Sequence, residues 1–236
     1  MALPKLNTPT YMLTVPSTKA EVTFRPYLVK EEKVLMMASE SQDEKQMISA
    51  MKTLIGTCTY DVVNPDDLTM FDLEYLFVKI RSKSVGETST VRLTCQEDNC
   101  EHKTDVIFNL DDVSVSNIED SQGAKIELEP NVGLIMKYPT VNDIMDISNG
   151  TDLEKMMGMV RLSIQSIYTA EEVFNTKDQT KQEVEDFIDS LSSMQFTLLR
   201  EWLEKLPTTE VSVDYKCGDC SKNNSIVLSG AANFFG

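Results

Sequence analysis

Residues 94–103, TCQEDNCEHK, set Cys95 and Cys100 at a C-x4-C spacing, and residues 216–222, KCGDCSK, set Cys217 and Cys220 at a C-x2-C spacing. These are four of the five cysteines in the chain. A strand-like alternation precedes each pair, STVRLT (89–94) and EVSVDY (210–215), and another follows it, TDVIFNL (104–110) and NNSIVLSG (223–230). Each pair therefore reads as the tip of a hairpin that points two sulfurs at one tetrahedral ion, the arrangement of a zinc knuckle. One structural Zn2+ held by Cys95, Cys100, Cys217 and Cys220 would make the middle of the chain an insertion within a ribbon. Two separate knuckles are the other arrangement, and incidental turn thiols the plainest one. Acidic turn residues (Glu97, Asp98 and Asp219) weigh against metal, and Gly218 weighs for it. His102, the single histidine, is the alternative to Cys100 as a ligand.

Outward from the cysteines, the bulk properties are those of a globular protein with an acidic surface. The 236 residues are 41% hydrophobic and carry 38 acidic against 22 basic side chains, a net charge of −16. Such a surface repels phosphate and anionic lipid, so neither nucleic acid nor membrane is an expected partner. The start, MALPKLNTPTYML, has neither the charged opening nor the apolar run of a secretory signal, and no apolar stretch approaches the roughly 20 residues needed to span a bilayer. The expected setting is a reducing cytoplasm, where paired cysteines hold metal rather than form disulfides.

Read in order, the chain predicts an α+β fold. Residues 8–28 form a hairpin around PSTKA. Residues 28–41, LVKEEKVLMMASES, read as a helix. A second helix starts near 41–45 with Ser41 as cap and Glu44 closing a capping box, and Met47, Met51, Leu54, Ile55 and Cys58 line its apolar face. NPDDLTMFDLEYLFVKIRSK (64–83) reads as a third. After the first cysteine hairpin come strands in VSVSNI, KIELE and VGLIMKY, then a short helix in VNDIMDIS. Residues 151–168, TDLEKMMGMVRLSIQSIY, read as a longer helix, and residues 180–206 as the longest, its stripe running Val184, Phe187, Ile188, Leu191, Met194, Leu198, Trp202, Leu206. The expected division is 1–86, an N-terminal hairpin with helices, and 87–236, zinc-ribbon-like β hairpins with a helical insertion, the two packed as one unit.

The chain offers little for catalysis. Cys58 lies on an apolar helix face and reads as a small buried hydrophobe. The acidic pairs Asp66–Asp67 and Asp111–Asp112 fall at element boundaries, where capping is their ordinary role. Neither G-x-x-x-x-G-K-[ST] nor G-x-G-x-x-G occurs, and the single histidine sits beside a cysteine pair. A non-enzymatic protein is expected. The thirteen methionines read mainly as core, with Met156, Met157 and Met159 able to face a partner. Phe234 and Phe235 at the C-terminal end either tuck onto the domain or insert into another subunit.

Two N-terminal blocks carry a resemblance. The first is VPSTKAEVTFRPYLVKEEKVLMMASES (15–41), resumed in DEKQMISA (43–50), with Pro16, Ser17, Thr18, Phe24, Arg25, Pro26, Tyr27, Lys30, Glu31, Glu32 and Lys33 carrying the match. The second is FDLEYLFVKIRSKSVGE (71–87), with Phe71, Asp72, Glu74, Tyr75, Arg81, Lys83, Ser84, Val85 and Gly86. Together they resemble the baseplate hub assembly proteins of T4-like contractile-tailed bacteriophages, over roughly residues 4–110. The resemblance implies a virion-assembly chaperone for the central hub, bound to hub and tail-tube proteins in the host cytoplasm and retained or released on completion of the tail. A permanent structural hub subunit is the alternative, and a homo-oligomer is left open. Arg25 and Lys30 would then form a docking face that reaches acidic groups of a partner, and Phe234 and Phe235 are separate candidates for partner contact. A zinc-ribbon adaptor for nucleic acid is a third reading. It calls for a basic stripe around the knuckles, whereas the first knuckle reads Gln96, Glu97, Asp98, Asn99, Glu101, with only Lys103, Lys216 and Lys222 nearby.

Overall fold

Alternation in the flanks of each cysteine pair becomes strand, and spaced apolar residues become helix. The computed structural model describes residues 7–118, 123–147 and 150–234. Its elements are β1 (Tyr11–Thr14), β2 (Glu21–Phe24), α1 (Val29–Ser41), α2 (Glu44–Cys58), α3 (Met70–Ser84), β3 (Thr88–Thr94), β4 (Lys103–Asn109), β5 (Ser114–Val115), β6 (Lys125–Glu129), β7 (Val132–Met136), α4 (Val141–Ile147), α5 (Asp152–Ser163), β8 (Ile164–Tyr168), β9 (Val173–Asn175), α6 (Lys181–Asp189), α7 (Ser193–Glu204), β10 (Thr209–Lys216) and β11 (Asn223–Ser229). The architecture is α+β, with seven helices and four small open antiparallel sheets among the described residues. The chain divides into two compact units, residues 1–116 with 208–236, and residues 117–207.

In the first unit α3 is the central element. It buries Phe71, Leu73, Leu76, Phe77, Val78 and Ile80, apolar side chains on more than one face, because α2 and β10 both pack on it. Helix α2 contributes Met51, Leu54, Ile55 and Cys58 to that core, as its apolar stripe predicts. The Cys58 thiol is fully buried, and desolvation pushes it up to about 11, the behaviour of a packing residue. The N-terminal hairpin is tied to the start of α3 through Asp72, which is wholly buried. Its carboxylate accepts from the Ser17 N–H at 2.9 Å, the Ser17 hydroxyl at 2.5 Å and the Thr69 hydroxyl at 2.6 Å. At the far end of α3 the Ser84 hydroxyl accepts from the Tyr27 N–H at 3.0 Å. The two resembling blocks thus dock on each other at both ends of one helix.

In the second unit a sheet of order β6-β7-β8-β9 carries helices α4–α7. Leu134 and Met136 of β7 and Ile164 of β8 are fully buried, with Val160 of α5 and Leu199 of α7. Tyr138 stacks on Trp202 at 6.5 Å. Gly133 is obligatory: a Cβ there would lie 2.4 Å from the Ile126 carbonyl oxygen and 2.5 Å from the Tyr168 hydroxyl.

Four sequence expectations are corrected. Helix α2 is capped by Asp43, whose carboxylate accepts from the Lys45 N–H at 2.9 Å. Ser41 instead ends α1, donating its hydroxyl to the Ala38 carbonyl at 2.7 Å. Helix α3 starts at Met70 behind a Thr69 cap, and Asn64 closes an Asx turn before it. The helix expected over 151–168 stops at Ser163, and IQSIY continues as β8 paired to β7, where β-branched Ile164 and Ile167 suit an extended, half-buried surface. The helix expected over 180–206 is two helices. Ser192 and Gln195 form a capping box that restarts it, with the Gln195 side chain accepting from the Ser192 N–H at 2.9 Å. Strand β9, three residues long, carries no alternation by which to read it from sequence.

Candidate metal centre

Hairpins β3–β4 and β10–β11 are regular over seven residue pairs each, from Thr88↔Asn109 to Thr94↔Lys103 and from Glu210↔Ser229 to Lys216↔Asn223. Regular pairing fixes where each tip begins. The Cys95 N–H closes the first loop on the His102 carbonyl at 2.9 Å, and the Cys217 N–H closes the second on the Lys222 carbonyl at 2.9 Å. Asn99 and Ser221 adopt positive φ (65° and 57°), each next to a cysteine, and so turn the sulfurs inward.

The tips meet within the first unit. The Cys95 and Cys220 sulfurs are 3.6 Å apart, those of Cys100 and Cys217 3.8 Å apart, and all four lie within 4.8 Å of one another. A thiolate tetrahedron around an ion at about 2.3 Å, the zinc–sulfur distance, has edges of about 3.8 Å. A disulfide would need about 2.05 Å, and all five cysteines are free thiols. The four sulfurs are therefore compatible with one shared metal site.

The backbone supplies what clustered thiolates require. N–H groups of Asp219 and Cys220 point at the Cys217 sulfur and bring that thiol down to about 6, against the cost of desolvation. The His102 N–H pulls the Cys100 thiol down, but desolvation and the three neighbouring sulfurs outweigh it and push it up to about 12. The Lys222 N–H serves Cys220 in the same way, though that thiol too is raised on balance, by desolvation and the Cys217 and Cys95 sulfurs. Four sulfurs this close cannot all shed their protons without a cation among them. A donor set of four thiols, three of them (Cys100, Cys217 and Cys220) with backbone N–H support, fits a thiophilic ion.

Around the sulfurs, the hairpins are stitched by groups that carry little signal in the sequence. Asn224 is buried, and its side-chain oxygen accepts from the Gln96 N–H at 2.8 Å. Its signal is a polar residue in the register of Ile226 and Leu228, the inward face of β11. The Tyr215 hydroxyl donates to the Thr94 carbonyl at 2.8 Å, and the Gly218 N–H to the Thr104 hydroxyl at 3.2 Å. His102 lies over Gly218, where a Cβ would come 3.0 Å from its Nε2. It supports the second tip by packing and falls outside the cluster of four sulfurs.

Of the four residues expected to meet a partner, two are buried and one is exposed. Arg25 is buried, donating to Glu31 at 3.0 Å and to the Pro26 carbonyl at 2.9 Å. Lys30 is exposed and pairs with Glu31 at 3.2 Å. Phe234 is fully buried, edge-on to Phe108 at 6.3 Å, with its carbonyl accepting from the Ser89 hydroxyl. Arg25 and Phe234 are thus committed to their own unit, and Phe235 lies outside the described residues.

Burial alone would raise the Glu31 carboxyl, but Arg25, the Leu28 N–H and Lys30 hold it below the ordinary carboxylate range. A carboxyl lowered on folding stabilises the fold above its unfolded value of about 4.3, and that stabilisation is lost as pH falls through the folded value. Glu31→Gln is expected to cost about 3 kcal/mol at neutral pH by leaving Arg25 buried and uncompensated. The gap from the parent should narrow below about pH 4, which urea unfolding at the two pH values measures. A gap of constant size would show that the pair contributes nothing through its charge.

The sequence model of one family, described as T4 bacteriophage base plate protein, matches residues 8–236. No curated protein and no solved structure matches the chain.

Proposed function

From the chain's membership of the T4 bacteriophage base plate protein family, we propose that it is a non-enzymatic assembly protein of the baseplate hub, a chaperone that acts by binding other proteins. The observation that carries this reading is the family match over residues 8–236. Membership supports a structural or assembly role in the baseplate, among other baseplate and tail proteins of the virion tail. The hub as its place, host cytoplasm as its setting during assembly, and hub and tail-tube proteins as its partners follow from the resemblance of residues 15–41 and 71–87. An acidic surface suits a chaperone, because like charge keeps it soluble and away from packaged DNA.

Within this reading Cys95, Cys100, Cys217 and Cys220 hold a structural Zn2+. Bound there, the ion supplies folding free energy and no chemistry, since four protein thiolates leave no position for a water or substrate. Two hairpins that would otherwise be held mainly by Asn224, Tyr215 and Thr104 become one rigid end of the first unit.

The test is a phage in which the gene is silenced and then supplied in trans. Tails should accumulate without functional hubs, and hubs should return on complementation. Mass spectrometry of finished particles separates the two assembly roles, a chaperone being absent and a permanent subunit present. Normal tails in the silenced phage would overturn both.

A further inference from the structure

Helix α1 is inverted relative to an ordinary surface helix. Of its thirteen residues it buries Glu31 and Ala38, while Val29, Met36 and Met37 are 65%, 59% and 70% exposed. A helix of that length is marginal in water and depends on packing, and a cluster of exposed apolar side chains marks an interaction surface.

Beside it runs a groove of about 620 Å³ with Leu35, Met36, Met47, Met51 and Phe77 among its apolar lining. Clefts that take ligands span roughly 300–1,000 Å³, and methionine side chains adapt to whatever fills them. The charged side chains on the lining are Glu32, Glu44, Glu74 and Arg81, three carboxylates to one guanidinium, on a chain of net charge −16. That field disfavours a second copy of the chain, and it attracts an apolar stripe flanked by lysine or arginine.

We propose that α1, α2 and α3 form a docking groove for a basic amphipathic helix of another baseplate or tail protein, an inference that rests on the assembly function above. The apolar side chains of that helix would enter between α1 and α2, and its basic flanks would meet Glu32 and Glu44.

The probe is a labelled amphipathic peptide of leucine and lysine, compared with a counterpart carrying glutamate for lysine on the same apolar face, each titrated into the full chain by fluorescence anisotropy. The lysine peptide should bind at least about tenfold tighter. Met36→Glu with Met47→Glu should abolish that binding while circular dichroism shows the helices retained and the melting temperature falls only modestly, because Met36 is exposed and Met47 half-buried. These changes add negative charge, so attraction by charge alone would strengthen. Glu32→Lys with Glu44→Lys should reverse the preference between peptides. Equal binding of both peptides would overturn the proposal. So would binding untouched by the methionine variants, or a dimer in sedimentation that those variants dissolve. In the phage, hubs that assemble normally with Met36→Glu and Met47→Glu, although silencing abolishes them, would reject the groove and leave the assembly function standing.

Discussion

With the proposed zinc in place, Cys217→Ser is expected to release it and destabilise the whole first unit, lowering its thermal midpoint by roughly 10–20 °C. The magnitude follows from a loss of about 5 kcal/mol at roughly 2–4 °C per kcal/mol for a protein of this size. Structural zinc contributes more than that in isolated fingers, but here hairpins β3–β4 and β10–β11 retain their own ladders and the stitches through Asn224 and Tyr215. One lost thiolate opens the site for all four sulfurs, which lie within 4.8 Å of one another. Protection from hydrogen exchange should therefore fall at both hairpin tips, including the one that carries no substitution. The unit of residues 117–207 contains none of the four cysteines and should keep its own transition. A chelator should reproduce the variant in the parent, and native mass spectrometry should count one zinc per chain. A parent that carries no metal, or a variant that melts like the parent, would leave the cysteines as ordinary thiols and remove the shared site.

The second large effect belongs to Asp72. Its carboxylate is fully buried and accepts from the Ser17 N–H, the Ser17 hydroxyl and the Thr69 hydroxyl. Asp72→Ala leaves the buried Thr69 hydroxyl and the two half-buried Ser17 donors without this acceptor, each costing about 1–3 kcal/mol where water cannot reach it. The expected loss is about 4 kcal/mol in urea unfolding, with increased proteolysis of the N-terminal hairpin, since Ser17 is its tie to α3. Asp72→Asn keeps one acceptor and should recover part of the loss. If Asp72→Ala costs less than about 1 kcal/mol, water serves those donors and the hairpin is held by packing alone.

What could be read from sequence was local. The strands flanking each cysteine pair and the stripe of α2 repeat over a few residues, and a short segment can show them. Reading failed where one local signal was outweighed by another. The apolar spacing through residues 180–206 hid the restart at Ser192, although Ser192 and Gln195 stand three apart as a capping box does. Helical spacing in residues 151–163 extended the forecast into IQSIY, where pairing with β7 decides the conformation. Arg25 read as a surface charge because its partner Glu31 and the burial of both depend on the packing of the hairpin and α1.

By itself, then, the sequence determined the two hairpins, their paired thiols, the α+β class and the acidic surface, because strand alternation, cysteine spacing and charge are set within each segment. Only the tertiary structure decided that four sulfurs from distant segments form one cluster, that Arg25, Asp72 and Phe234 face inward, and that α1 leaves its methionines uncovered. Those depend on which segments pack together, and that is settled by burial against α3 and by hydrogen bonds between residues far apart in the chain.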